Sequence, residues 1–568
     1  MKKRRLSKQI AAWLTLSSFV LQMPMATVMA AEYPIVPDAN ANVNTRPLVM
    51  ETANGIPLVN VTAPTAGGVS VNNYTNFNVP TSGAILNNSY TLSNTQLAGM
   101  VQGNSHMARG SAQVILNQVT STNPTHMNGF LEVAGHKASV VVANPNGITV
   151  NGGGFINTNQ AILTTGQAKL GSNGLQSIDV AGGKVAVAGD GLNAKGADSL
   201  SILTGAAEVN AGIWGKDVAV VTGHNTIDTK ALAQGNVSGA VRPSDAVKAD
   251  NQATGTDTAN GKQGVALDIA AIGGMYANSI TLVGTDKGLG VNVDGVVAAT
   301  KAINLDSAGN LIVNDKASIY SNRDQSIHAD NVSLTSEKAT LGADANLSIK
   351  VDGKVDSVGL INSGQVTSIE ANAVDNHEAG RIYGDTVSVS ASEVINHTNT
   401  DLEAKLDREM AKMQAAREAL DQAWAIDITQ FTNKAQEEAY YANIDAKTKE
   451  YDAQQAVVDK VVAELNQHKA GTIAGRNQTN IKADTITNRN HGYIYSDGDM
   501  NLSPTESIRN ASAAIEAEGS ATIGAPEIRN ENTIYSSKRV KDKEIENPDR
   551  IRIDQEGHAE QGKTFDKN

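Results

Sequence analysis

The sequence predicts an all-β solenoid of stacked coils, interrupted once by an antiparallel pair of helices. Three observations carry that prediction. The composition is almost free of large side chains, a strand motif returns about every 21 residues, and a segment of different character fills the one break in that period.

Composition sets the frame. A chain of 568 residues suggests three or four domains, or one long repetitive one. It has Gly 51, Pro 13, no Cys and only 4% aromatic residues. Such a composition argues against a compact α/β enzyme and suits a thin core of Ala, Val, Ile and Leu. Without Cys there are no disulfide scaffolds, zinc–thiolate sites or cysteine nucleophiles. The net charge of −13 disfavours a phosphate backbone, so no nucleic-acid partner is expected.

Residues 1–30 read as a secretory signal peptide. Lys2, Lys3, Arg4, Arg5 and Lys8 precede an apolar stretch from Ile10 to Leu21, and Val28-Met29-Ala30 supplies the small-residue cleavage signal. The apolar stretch is shorter than the ~20 residues a membrane helix needs. Cleavage after Ala30 leaves a charge of about −18, and no later segment is apolar enough to span a bilayer. An exported chain with no membrane span is expected.

Residues 31–292 open with short β-rich runs broken by Asn and Gly, such as Val69-Ser70-Val71 and Val114-Ile115-Leu116. The run Ser139-Val140-Val141-Val142-Ala143 meets Asn144-Pro145-Asn146-Gly147 and resumes as Ile148-Thr149-Val150. Pro second, Asn third and Gly fourth suit a type I turn between two strands.

These residues also resemble a family. The stretch 142–149, with Gly154-Phe155-Ile156-Asn157-Thr158 and Leu163-Thr164-Thr165-Gly166, is similar to the secretion domain of filamentous-haemagglutinin-like exoproteins. Those are the exported partners of bacterial two-partner secretion. Residues 114–119, Asn128-Gly129-Phe130 and residues 272–278 fit as well, so the resemblance covers about residues 32–292. It implies a right-handed parallel β-helix with an N-terminal cap. It also implies a cognate outer-membrane transporter whose periplasmic domains recognise the segment, with Asn144, Pro145, Asn146, Gly147 and Ile148 as the recognition turn. Two departures stand out. Where the family often has an Asn-Pro-Asn-Leu turn upstream, this chain reads Asn104, Ser105, His106 and Met107, a weaker equivalent. Where many relatives have a Cys pair, it has Val150 and Gly153.

The remaining chain supports a solenoid independently, with repeats expected over 293–397 and 469–536. His377-Glu378-Ala379-Gly380-Arg381-Ile382-Tyr383-Gly384 recurs as His468-Lys469-Ala470-Gly471-Thr472-Ile473-Ala474-Gly475. Ile473 to Ile494 is a step of 21, Ile494 to Ile534 is 40, and Ile319 to Ile382 is 63, three steps of 21. A fixed period near twenty marks stacked coils.

Ile382 to Ile473, at 91, is the exception, and its excess of about 71 falls between His397 and His468. There the chain turns rich in Ala, Glu and Lys. Leu406, Met413 and Leu420 recur every seven residues, as do Met410, Arg417 and Trp424, then Ile444, Tyr451, Val458 and Leu465. Residues 398–468 therefore read as an antiparallel helical hairpin turning near 426–431, with arms of roughly 35 to 50 Å. The plain reading is a neutral insertion in a coil loop. The sharper one, to which Arg417 in the seam adds weight, is an arm for a partner or for self-association.

Several chemical lookalikes do not persuade. Residues 557–564 match the phosphate-loop pattern, but the chain stops four residues after Thr564, leaving no room for the helix that loop requires. His377-Glu378 starts like a zinc-protease helix, yet Arg381 stands at the second ligand position. His377, His397, His468 and His491 recur at similar coil positions and are expected to be solvated turn residues. Asp497-Gly498-Asp499-Met500-Asn501 starts like a calcium loop, but Leu502 and Ile508 replace the turn Gly and the final acid. No metal, cofactor or catalytic residue is expected, and no enzyme.

The expected function is a secreted exoprotein acting as a surface adhesin or structural rod of a double-membraned bacterium, reached through the periplasm. Host-cell or bacterial surface receptors are its further partners. The alternative is the N-terminal stalk of a contact-dependent inhibition toxin lacking its effector domain; a β-helical polysaccharide lyase comes third. The charged tail 537–568 is too short for an effector and reads as the cut end of a longer rod.

Overall fold

Three short strands and three corners make one coil, and each strand pairs in parallel with its equivalent in the next coil. The computed structural model describes residues 35–244 and 259–532. The expected signal peptide at 1–30, the phosphate-loop lookalike, the tail 537–568 and the repeat expected around Ile534 lie outside the described residues.

Successive coils build three parallel sheets around one core. The first sheet runs from Val69–Asn76 through Val114–Val119 and β1 (Ala138–Ala143) to Thr158–Thr164 and beyond. The other two both pass through β2 (Ile148–Ile156), whose first half pairs with Thr125–Met127 and whose second half pairs with Phe130–Gly135. Side chains alternate between faces of a strand, so every second residue points inward. Ile303–Ser307 shows the pattern, with Ile303, Leu305 and Ser307 buried between exposed Asn304 and Asp306.

The repeat read from the isoleucines is a physical column. Ile319, Leu341, Ile361, Ile382, Ile473, Ile494 and Ile515 are register partners from coil to coil. Leu341 and Ile361 fill the gap of 63 with steps of 22, 20 and 21. Ile382 of β3 (Arg381–Ser390) pairs directly with Ile473 of β5 (Thr472–Arg489), although 91 positions separate them. Between these strands, β4 (Glu393–Asn396) completes the coil. A second column is polar. Asn376, Asn396, Asn488, Asn510 and Asn530 stack, each Nδ2 donating to the next Oδ1 at 2.8 to 3.0 Å.

Antiparallel pairing, among the described residues, is confined to the region before residue 244. Leu48–Glu51 pairs with Pro57–Asn60 at the N-terminal end of the rod. Farther along, Gln167–Gly171, Gly174–Val180, Asn225–Asp228 and Val241–Pro243 form a separate sheet. It lays Ile178, Val180 and Ile227 over the outward apolar side chains Leu116, Val141, Ile162 and Leu203. That cover explains why β1 is an unbroken Val140-Val141-Val142 run: it is buried on both faces.

The insertion is a pair of helices, α1 (Thr400–Trp424) and α2 (Lys434–Leu465). Leu402 and Leu406 meet Val458, Val461, Val462 and Leu465 at the rod end; Leu420 and Ala423 meet Tyr440 and Ile444 at the far end. This fixes the antiparallel order. The predicted seam is corrected at two positions. Arg417 points to solvent and lies 3.8 Å from Asp421, and Trp424 is 54% exposed. Ala416 and Ala423 are buried instead, because a 3.6-residue helix drifts off a strict seven-residue repeat. The seam argument for a partner arm therefore lapses.

Candidate functional site

The turn after β1 is held by one buried side chain. Asn144 is fully buried while Pro145 and Asn146 are exposed. Asn144 Nδ2 donates to the Asn123 carbonyl and to Thr125 Oγ1, both at 2.9 Å. Its Oδ1 accepts from the Asn146 backbone N–H at 2.9 Å and from Asn146 Nδ2 at 3.1 Å. The Gly147 N–H closes the turn onto the Asn144 carbonyl at 3.1 Å. Gly147 has φ +104°, and a Cβ there would stand 3.2 Å from the Lys184 carbonyl, so glycine is required. Ile148 turns inward and is 2% exposed. The exposed face of the turn is thus Pro145 with Asn146, whose Nδ2 also donates to the Ser121 carbonyl at 2.8 Å.

The upstream motif makes the same construction from different residues. Asn104 is 1% exposed and caps the 3-10 turn Ser105–Arg109. Its Nδ2 donates to the Val61 and Asn87 carbonyls at 2.8 and 2.9 Å, and its Oδ1 accepts from the His106 N–H at 3.0 Å. The Met107 N–H bonds the Asn104 carbonyl at 3.0 Å, and Met107 is buried. The first Asn of each motif sets the turn, and the later positions vary around it. The two turns hang on different strands: one is tied to Val61, Asn87 and Ser89, the other to Ser121, Asn123 and Thr164.

Val150 and Gly153 account for the missing Cys pair. Val150 is fully buried, and a Cβ on Gly153 would approach its Cγ1 to 2.7 Å. The valine methyl group occupies the space where a second side chain would stand.

Sequence reasoning missed the polar frame around both turns. Asn72, Asn87, Asn88 and Asn117 are fully buried. Asn88 clamps the Ala112 backbone, accepting from its N–H at 2.8 Å and donating to its carbonyl at 2.9 Å. Glu132, 3% exposed, accepts from the Gln96 and Leu97 N–H groups at 2.7 and 2.9 Å, holding the loop of Ser93–Thr95 and Gly99–Val101. Burial pushes the Tyr74 phenol well above its usual value, keeping it a donor to Asn117 Oδ1 at 3.0 Å. The doublets Asn72-Asn73 and Asn87-Asn88 in β-rich runs were the available signal, since buried amides there need partners.

The histidines need a correction. His468 and His491 are exposed, as expected. His397 is buried, stacked on His377 at 5.5 Å, and it anchors the hairpin. Its Nε2 lies 2.9 Å from Asp375 and its Nδ1 lies 2.8 Å from Glu403, on the first turn of α1. Arg489 reaches Glu403 at 2.6 Å, and Lys354 reaches Asp375 at 2.7 Å. Burial alone would lower the imidazolium's pKa, but the two carboxylates outweigh it and raise it. Glu403 is held below its usual range, burial being outweighed by His397. The His377-Glu378 pair is a coil corner with Glu378 at φ +52°, and Asp499 begins a strand; neither forms the cation loop its letters suggest. Among the described residues there is no group of three or more His, Cys, Asp or Glu that could hold a metal ion, and no helix is long and apolar enough to cross a membrane.

Residues 34–313 match the family described as "TPS secretion domain". The chain carries a two-partner secretion domain. Such domains mark the filamentous-haemagglutinin-like exoproteins of that system, which are secreted through the periplasm to the cell surface. The chain is similar to "Toxin CdiA" of Yersinia pestis, 37% identical over 52% of this chain and 8% of that protein. It is also similar to "tRNA nuclease CdiA" of Yersinia mollaretii, 34% identical over 67% of this chain and 13% of that one. The chain therefore spans 13% or less of the length of these relatives. A crystal structure of the filamentous hemagglutinin secretion domain is 27% identical with a TM-score of 0.44, covering 60% of this chain and 99% of that one.

Proposed function

We propose that the secretion domain is recognised by the periplasmic domains of a cognate outer-membrane transporter, and that the exposed Pro145 and Asn146 are the contact. The reading rests on one observation: Asn144 is buried and pins the turn, whereas Pro145 and Asn146 are its exposed residues, with Asn146 Nδ2 tied to Asn144 Oδ1 and to the Ser121 carbonyl. The turn begun by Asn104 is a second, weaker contact, with His106 engaged at Nδ1 on the Val61 carbonyl at 3.2 Å. The domain divisions at 292, 397 and 468 belong to the same proposal.

Beyond the domain, the coils act as a non-enzymatic surface rod and adhesin. A second reading, the stalk of a contact-dependent inhibition toxin, is favoured by the names of the relatives and by their much greater length. Their nuclease activity is theirs and is not assigned to this chain.

The test is secretion. A fragment ending near Asn292, or at Val313 where the family match stops, should reach the medium only when the transporter is co-expressed. Equal release without it would sink the reading. Asn146→Ala, which gives up the bonds to Asn144 and Ser121, should cut release while the purified fragment stays folded with only a small fall in melting temperature; unaltered release would make the turn purely structural.

A further inference from the structure

One outward column of the rod is aromatic. Trp214, Tyr276, Ala298, Tyr320, Gly342, Asn362, Tyr383, Ala474 and Tyr495 are consecutive register partners on one sheet. In a chain with only 12 tyrosines, four stand in this column, and the positions between them are small or amide. Strand spacing of ~4.8 Å puts Tyr320 and Tyr383 about 14 Å apart and Tyr383 and Tyr495 about 10 Å apart along the rod.

The C-terminal part of the column is a trough of about 580 Å³ whose lining includes Tyr320, Asn362, Tyr383, Ala474, Arg476 and Tyr495. That is within the size range of ligand sites. A Cβ on Gly342 would come 2.7 Å from the Tyr320 ring, so that ring lies over the glycine. Tyr493 stacks behind Tyr495 at 5.4 Å with planes 21° apart, which leaves the other face of Tyr495 to the trough. The polar rim is equally ordered. Tyr320 donates to Asp344, Tyr495 donates to Asp497 at 3.3 Å, and Arg476 is held by Asp385 at 2.6 Å and by the Gly364 carbonyl at 3.2 Å.

We propose that this trough binds an uncharged, linear polysaccharide laid along the rod axis. Aromatic faces set a whole number of coils apart suit a polymer that repeats at about one coil height, as an extended chain of hexose rings does. Sugars offer apolar ring faces to stack on tyrosine and hydroxyls for Asp344, Asn362 and Asp497. The only cation in the lining is already paired with Asp385, and the rim carries two further carboxylates, so a polyanion is repelled. The proposal deepens the adhesive reading of the rod and rests on it for its biological setting.

The test is native-gel retardation of the full exported chain by galactomannan, hydroxyethyl cellulose or dextran, with heparin as the charged comparator. Retardation by at least one neutral polymer and not by heparin is expected. Tyr383→Ala with Tyr495→Ala should weaken it about tenfold or more, while the same pair changed to Phe should keep it. Ala474→Gln, which fills the gap between the rings without removing either, should also block it and serves if the alanine pair misfolds. All variants should still be secreted with the transporter, so a failure of secretion and a failure of glycan binding are distinguishable. No retardation by any neutral polymer, equal retardation of Ala474→Gln, or retardation by heparin alone overturns the proposal. So does a drop in sedimentation coefficient for the alanine pair, which would assign the face to a second copy of the chain.

Discussion

Asn144 and Asn146 stand two positions apart in one turn and do opposite jobs. Asn144 has no exposed surface and bonds on both sides of its amide, so Asn144→Ala strands buried donors and acceptors and should cost about 2 kcal/mol. Urea denaturation of the secretion domain should show that loss for Asn144→Ala and a clearly smaller one for Asn146→Ala, whose bonds to Ser121 and Asn144 lie at the surface; equal losses would mean that the two asparagines pin the turn alike. The turn was legible because Asn-Pro-Asn-Gly has few other uses between strands. The identity of the pinning residue was not, because letters do not say which of two asparagines is buried. His397 was misjudged for the same reason: a histidine at a corner reads as solvated until the helix bearing Glu403 is seen to cover it.

The hairpin is the element whose removal is easiest to foresee. Joining His397 to Lys469 yields Asn396-His397-Lys469-Ala470-Gly471, matching Asn376-His377-Glu378-Ala379-Gly380 one coil earlier. Deleting residues 398–468 should leave a folded, secreted rod whose helical circular dichroism is largely gone. A modest loss of stability is expected, since His397 and Arg489 lose Glu403. Aggregation would show that the arms cover the rod. The intact anchor should also depend on pH. His397, raised above 6.5, contributes fully below that value and loses its contribution as pH climbs through the raised one. Glu403 and Asp375, lowered from 4.5 and 3.8, contribute fully above those values and lose it as acid protonates them. Thermal melts followed at the helix band should therefore peak between about pH 5 and 6.5; a flat profile from pH 4 to 9 would discount the anchor. The existence of the arms was legible in the broken period, but their buried stripe was not, because heptad spacing and true helical twist diverge over 25 residues.

Across the whole molecule, stability is a matter of neighbours. Ile382 is fully buried between Ile361 and Ile473, and Ile382→Ala should cost about 3 kcal/mol. Hydrogen exchange should quicken in the coils on both sides of the substitution, since each coil's core is completed by the next; a change limited to β3 would contradict a shared core. The rod was readable because its inward column repeats one residue type. The sheet from Gln167 to Pro243 was not, because strands that cover an existing face carry no period of their own.

The way the insertion leaves the rod has a mechanical consequence. The Gly471 N–H donates to the His397 carbonyl at 2.7 Å, and Thr398 Oγ1 donates to the Lys469 carbonyl at 2.7 Å, so the outgoing and returning backbone are fastened side by side. Tension applied to the ends of the rod crosses from one coil to the next through that fastening and through the paired strands β3 and β5. The arms beyond it carry none of the load. A folded module with adjacent termini spliced in their place would leave that path intact and forfeit only the contacts of Glu403 with His397 and Arg489.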